Sequence, residues 1–216
     1  MQQVLKILID DAKKIKIALS ASQAQKLLQY LDILRQWNKV HNLCADASYQ
    51  HMLSYHLLDS ISVASSIDCQ NKSILDVGTG AGLPGIPLSI VVPDCSVTML
   101  DSKFKKISFV NHVINVLELK NATTFVSRLE KYTPLLKFDL IISRAFSSLL
   151  DFVKLSSRLC ADGGMLVAMK SDPEEFVVGA DVIDDYKIIE VKKLTIPGVS
   201  AKRCLVVVSC KNLDLI

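Results

Sequence analysis

A chain of 216 residues has room for one domain of ordinary size carrying a helical extension. Half of it is hydrophobic, with 8 glycines and 6 prolines, so it can bury a large core and is not a disordered polypeptide. A formal charge of +3 permits a nucleic-acid partner but is far too weak to argue for one.

The opening segment, MQQVLKILIDDAKKIKIALS, is amphipathic, but Asp10, Asp11 and four lysines interrupt it. That density of charge excludes a secretory h-region and a membrane span. A soluble, cytoplasmic protein is expected. Ser22 with Gln25 makes a capping-box pattern ahead of KLLQYLDILRQWNKV. There Leu27, Leu28, Leu31, Leu34 and Val40 recur at helical spacing, and Ile33 and Trp37 widen the stripe. HMLSYHLLDSISVAS predicts a third helix. Residues 1–65 therefore read as a helical cap on a second unit, 66–216, the two packing as one compact body.

From Ser73 the pattern changes to strands alternating with helices. The predicted strands are SILDV, SVTMLD, TTFVS, FDLIISR and GMLVAMK; KFKKISFVNHVINVLEL and LLDFVKLSSRLC are helical. Such alternation implies an α/β fold with a mostly parallel central sheet and right-handed crossovers. YKIIEVKKLTI and RCLVVVSC follow with no clear helix between them and predict an antiparallel pair at one edge. The six cysteines are scattered and form no C-x-x-C pair, so reduced thiols in a reducing cytosol are expected. His41, His51, His56 and His112 show no ligand spacing with cysteines or carboxylates, and no metal site is predicted.

The richest stretch is SILDVGTGAGLPGIPLS, Ser73 to Ser89, in which a strand runs through a glycine-rich turn into a helix. Two frames fit it. One is a dinucleotide-type G-x-G-x-x-G in Gly80, Gly82 and Gly85; the other is D-x-G-x-G-x-G in Asp76, Gly78, Gly80 and Gly82. Ligands of doubly wound sheets bind beyond the carboxyl ends of the strands, where this turn lies. A pyrophosphate would seek the helix N-terminus, yet Asp76 disfavours two phosphate charges and suits a positive centre. S-adenosylmethionine carries a sulfonium and an ammonium and no phosphate, so the second frame is preferred. Asp101 closes the second strand, 19 residues after Gly82. An acid in that position can take both ribose hydroxyls of a nucleoside.

With HLLDS (His56–Ser60) and WNKVHNL (Trp37–Leu43) before the glycine turn, and LDSKFKK and ISRAF after it, the chain resembles the RsmG (GidB) family. These are bacterial methyltransferases that act on guanine N7 of 16S ribosomal RNA. The resemblance implies a Rossmann-like S-adenosylmethionine-dependent methyltransferase fold with S-adenosylmethionine as cofactor. It also implies 16S ribosomal RNA, or the small-subunit particle, as partner, and a monomer is expected. By matched position it places the cofactor at Gly78, Leu83, Asp101 (with Ser102 and Lys103), Leu129, Glu130 and Arg144. Arg128 and Arg203 match positions that handle the RNA or its target base. Some positions depart from the family pattern: Ser171 stands for a glycine, Lys202 and Cys204 for an acid and a histidine, and Cys44 for a threonine.

Guanine N7 has an in-plane lone pair and no proton, so its methylation needs no general base before attack. No acid–base catalyst is assigned, and alignment of the reacting atoms is the task left to the protein. Two other classes stay open on the residues alone: a methyltransferase for a small molecule or protein, and a dinucleotide-dependent enzyme. Lys103, Lys105 and Lys106 read equally as solvated surface or as a phosphate-steering patch.

Overall fold

The structure, a computed structural model, describes residues 2–44, 48–144, 146, 148–183 and 186–210. Helices α1 (Gln2–Lys14) and α2 (Ala21–His41) open it. The capping box lies two residues earlier than the sequence pattern suggested. Ser20 Oγ accepts from Gln23 N at 3.1 Å, and Gln23 Oε1 accepts from Ser20 N at 3.0 Å. A tertiary contact favours this register: Gln23 Nε2 also donates to the carbonyls of Ile90 and Val91, at 3.1 and 3.2 Å.

The third helix, α3, is α-helical over Tyr49–His51, π-helical over Met52–Leu58 and α-helical again over Asp59–Ile61. Apolar periodicity foresaw a helix here but not the change of winding. π segments are rare and recur at functional sites. This one supplies several of the polar side chains described below.

The described strands form one sheet in the order β3-β2-β1-β4-β5-β8-β7-β6. They are β1 (Ser73–Val77), β2 (Ser96–Asp101), β3 (Ala122–Val126), β4 (Phe138–Ser143) and β5 (Cys160–Lys170). The remaining three are β6 (Asp181–Ile183), β7 (Tyr186–Leu194) and β8 (Arg203–Cys210). Strands β1 to β5 pair in parallel, and β8 returns antiparallel between β5 and β7. The expected antiparallel edge pair is thus present. It is extended by β6, three residues long and too short to leave a periodic signal.

Helices α4 (Gly85–Val91), α5 (Phe104–Leu117) and α6 (Leu149–Ser156) connect the parallel strands. The last is shorter than LLDFVKLSSRLC suggested. It passes into a 3₁₀ turn over Ser157–Leu159, and Cys160 already pairs with Phe138 in the sheet.

Side chains alternate between the two faces of a strand, and each face carries its own apolar layer. Ile74, Met99, Leu140, Ile142, Val167 and Leu205 belong to one cluster with residues of α1–α5, among them Leu8, Leu27, Leu31, Leu57 and Phe109. Leu75, Leu100, Ile141, Leu166, Val206 and Val208 belong to the other, with Phe152 and Val153 of α6. The N-terminal helices therefore join α4 and α5 in the apolar layer on one face of the sheet. The carboxyl ends of β1, β2, β4 and β5 stay open, and the ligand-binding features gather there.

Candidate active site

The loop after β1 is shaped by Asp76. Its Oδ2 accepts from Thr79 Oγ1 at 2.6 Å and from Gly85 N at 2.9 Å, closing the turn onto the start of α4. Gly85 must be glycine for a packing reason: a Cβ there would lie 2.5 Å from Met99 Cγ and 2.9 Å from Asp76 Oδ2. Gly82 is required by conformation as well, with φ +84° and Ile86 Cγ1 only 2.6 Å from an added Cβ. Asp76 is fully buried, and burial pushes its carboxyl up to about 6 against the two hydrogen bonds that favour the anion. The sequence reading had this acid facing a positive ligand. In the structure its Oδ2 is turned into the loop and braces it.

Asp101, at the end of β2, does reach the open side. Its Oδ2 accepts from Gly80 N at 3.1 Å and from Lys106 Nζ at 3.3 Å, and its Oδ1 accepts from Lys103 N at 2.9 Å. Around it lies a cleft of about 340 Å³ lined by Gly78, Leu100, Asp101, Arg128, Leu129 and Glu130, with Phe146 and Leu155 beyond them. Arg158 Nη2 donates to the carbonyls of Leu129 and Tyr132, at 2.6 and 2.8 Å, which fixes the turn that carries Leu129 and Glu130. Gly78, Asp101, Leu129 and Glu130, which the resemblance assigned to the cofactor, thus lie on one cleft, and so does Arg128, which it assigned to the RNA or its target base. Leu83 is not among them. It is buried in the apolar cluster behind the loop and supports it from the rear.

A second cleft, about 460 Å³, opens beside the first and shares Phe146 with it. The π segment and its flanks line it with His51, Tyr55, His56 and Asp59; β4, β5 and β8 contribute Arg144, Lys170 and Arg203. Arg144 therefore lies here with Arg203 rather than on the first cleft. Its Nη1 donates to Tyr55 O at 3.0 Å and to Asp59 Oδ2 at 3.3 Å. Arg203 Nε lies 3.5 Å from Asp59 Oδ1, and its guanidinium sits 5.5 Å from the centre of the Tyr55 ring. His51 stacks on Tyr55 with ring centres 4.2 Å apart.

Asp59 is only 3% exposed, and burial raises its pKa while Arg144 and Arg203 oppose the rise. Lys170 donates to Phe146 O at 2.6 Å, and burial lowers its pKa. Sequence reasoning quoted Asp59 within HLLDS but gave it no role. A lone acid in the otherwise apolar run MLSYHLLDSI was the available signal.

A mostly parallel sheet with a glycine loop after β1, an acid closing β2 and an antiparallel return through β8 is the Rossmann-like fold of methyltransferases. Solved structures with this fold include a SAM-dependent methyltransferase from Aquifex aeolicus, with TM-score 0.56 and 20% identity, covering 74% of this chain and 93% of that one. A ribosomal protein L11 methylase from Lactobacillus delbrueckii subsp. bulgaricus superposes with TM-score 0.53 at 15% identity, covering 76% and 80%. The chain belongs to the rRNA small subunit methyltransferase G (GidB) family, whose model matches residues 23–206. Ribosomal RNA small subunit methyltransferase G of Laribacter hongkongensis is 43% identical over 191 residues, covering 88% of this chain and 90% of its own length. The protein of the same name from Methylobacillus flagellatus is 42% identical over 206 residues, covering 95% and 97%.

Proposed function

We propose that this methyltransferase moves the methyl group of S-adenosylmethionine to N7 of a guanine in 16S ribosomal RNA, acting as a cytoplasmic monomer on RNA or on a small-subunit particle. The observation that carries the reading is the pair of clefts meeting at Phe146. One presents an acid and glycine backbone; the other presents two guanidiniums and an ammonium.

The first cleft suits the cofactor by its donor set. A carboxylate has about four acceptor sites, and Asp101 uses three on Gly80, Lys103 and Lys106. One remains, and the long contact to Lys106 can yield a second to a ribose diol. Gly78 with the Leu129–Glu130 turn would hold the nucleoside, and Leu100 and Leu155 offer apolar contact. The bound cofactor supplies an activated methyl on a positive sulfur.

This chain's residues need not take a proton from the base, since N7 carries none. Arg203 and Arg128 are assigned to RNA or base positioning, and Arg144 is assigned beside Arg203. A cleft bearing Arg144, Lys170 and Arg203 against Asp59 and Glu175 is also better matched to a polyanion than a closed apolar pocket would be. N7 lies in the deep, narrow major groove of an RNA duplex, so the target is a loop base or one exposed in an unfinished particle.

Methyl-labelled cofactor incubated with 16S RNA and, separately, with small-subunit particles tests the reading. Chain cleavage at 7-methylguanine after borohydride and aniline should mark a single guanine. Label on another atom, or transfer only to small molecules, would overturn it.

A further inference from the structure

Asp59 is a buried carboxylate paired with two arginines. Its element, α3, changes winding just before it, and it meets two guanidiniums that lie 85 and 144 positions further along the chain. Arg144 follows β4 and reaches Oδ2; Arg203 opens β8 and approaches Oδ1. Those strands are not neighbours in the sheet, because β5 lies between them. Without an acid at this point, two positive side chains would converge on one cleft with only the Tyr55 carbonyl and ring and the Lys202 carbonyl to hold them, and their mutual repulsion would spread them apart. Both are only partly buried, at 28% and 23% side-chain exposure, and both have rotamer freedom to lose.

We infer that Asp59 is a positioning residue for methyl transfer, holding Arg144 and Arg203 as a two-guanidinium clamp across the second cleft. The carboxylate does not touch the substrate; it is nearly inaccessible. It sets where the arginines end, and the Tyr55 carbonyl and ring complete the frame on the same helix. One negative charge between two positive ones leaves the group net positive, able to receive an electron-rich base edge or a phosphate. This inference rests on the proposed RNA methyl transfer.

The test is Asp59→Asn, which keeps the shape and removes the charge. Steady-state transfer over a range of 16S RNA concentrations is read beside the melting temperature and titration with S-adenosylhomocysteine. The expected result is a loss in kcat of roughly tenfold or more, the scale of misplaced positioning groups. Cofactor affinity and the RNA KM should stay within about threefold, a difference of under about 1 kcal/mol. A merely structural role would lower the melting temperature and the folded fraction but leave kcat per cofactor-binding site intact, and that outcome overturns the inference. Should Asp59→Asn not fold, Asp59→Glu is read instead. It keeps the charge and lengthens the arm by one methylene, so lowered kcat supports the clamp and unchanged kcat overturns it. A wild-type enzyme that methylates no RNA brings down the functional reading and this inference with it. An active wild type with an equally active Asp59→Asn brings down the inference alone.

Discussion

Asp76 and Asp101 lie at the ends of neighbouring strands, yet their environments give them different work. Asp76 is sealed behind the loop, and its pKa stands near 6 against an ordinary 3.8. A raised carboxyl means that the folded state binds the proton more tightly than the unfolded chain. Stability from this group is greatest below about pH 4 and declines as pH rises to about 6, by on the order of 2–3 kcal/mol. Urea unfolding of Asp76→Asn and the wild type at pH 4.5 and pH 7 should show the variant gaining on the wild type as pH rises. A difference independent of pH would contradict the sealed carboxylate. The cysteines behave as small core residues: burial pushes Cys69 up to about 12, and Cys95 and Cys204 up to about 11. Thiolate is the reactive form. Iodoacetamide at pH 8 should therefore spare Cys69, Cys95 and Cys204 in the native protein and label them in urea, as peptide mapping would reveal.

At the scale of elements, α2 is tied to the ligand loop as well as to the core. Tyr30, fully buried, donates from its hydroxyl to Ala81 O at 2.7 Å, and burial raises its pKa strongly. Tyr30→Phe leaves the Ala81 carbonyl buried without that donor, at a cost of about 1–3 kcal/mol. The capping box at the start of the same helix is exposed, and Ser20→Ala should cost about 1 kcal/mol. Denaturant melts should rank Tyr30→Phe as the more damaging change. The opposite order would mean that the helix–loop bond carries little. Ser143 forms a similar tie, its Oγ donating to Val77 O at 2.8 Å where β4 passes the end of β1. Elements that present a ligand loop gain precision from such second contacts, because a loop alone has no neighbours to hold its shape.

For the whole molecule, the question is whether the helical segment is an accessory. Its residues Leu8, Leu27, Leu31 and Leu57 share one apolar cluster with Ile74, Met99 and Leu205 of the sheet. Lys26 Nζ donates to Leu117 O and Gln23 Nε2 to the carbonyls of Ile90 and Val91, adding polar ties between the two parts. We expect a fragment of residues 66–216 to expose the apolar surface that α1–α3 cover and to lose cooperative unfolding. Calorimetry and circular dichroism on that fragment decide the matter. A sharp transition with S-adenosylhomocysteine binding intact would show that residues 66–216 stand alone. The helical segment also supplies Tyr55 and Asp59 to the second cleft, so its loss should abolish transfer even if folding survived.

The sequence by itself determined the order of strands and helices, the glycine turn, the acid closing β2 and the antiparallel return. Each of these is a local signal: alternation in SILDV and SVTMLD, glycines at fixed spacing, an aspartate at a strand end. It also put Asp101 on the same edge as the glycine turn, because residues after consecutive parallel strands emerge on one edge. Only the tertiary structure decided which way side chains turn and which distant elements meet. Asp76 points inward because Thr79 and Gly85 capture it. Leu83 joins the core behind the loop. The π winding of α3 brings Asp59 between Arg144 and Arg203, residues 85 and 144 positions further along the chain. Pairings at such separations have no periodicity to betray them; they exist only once the sheet has brought β4 and β8 to the same edge.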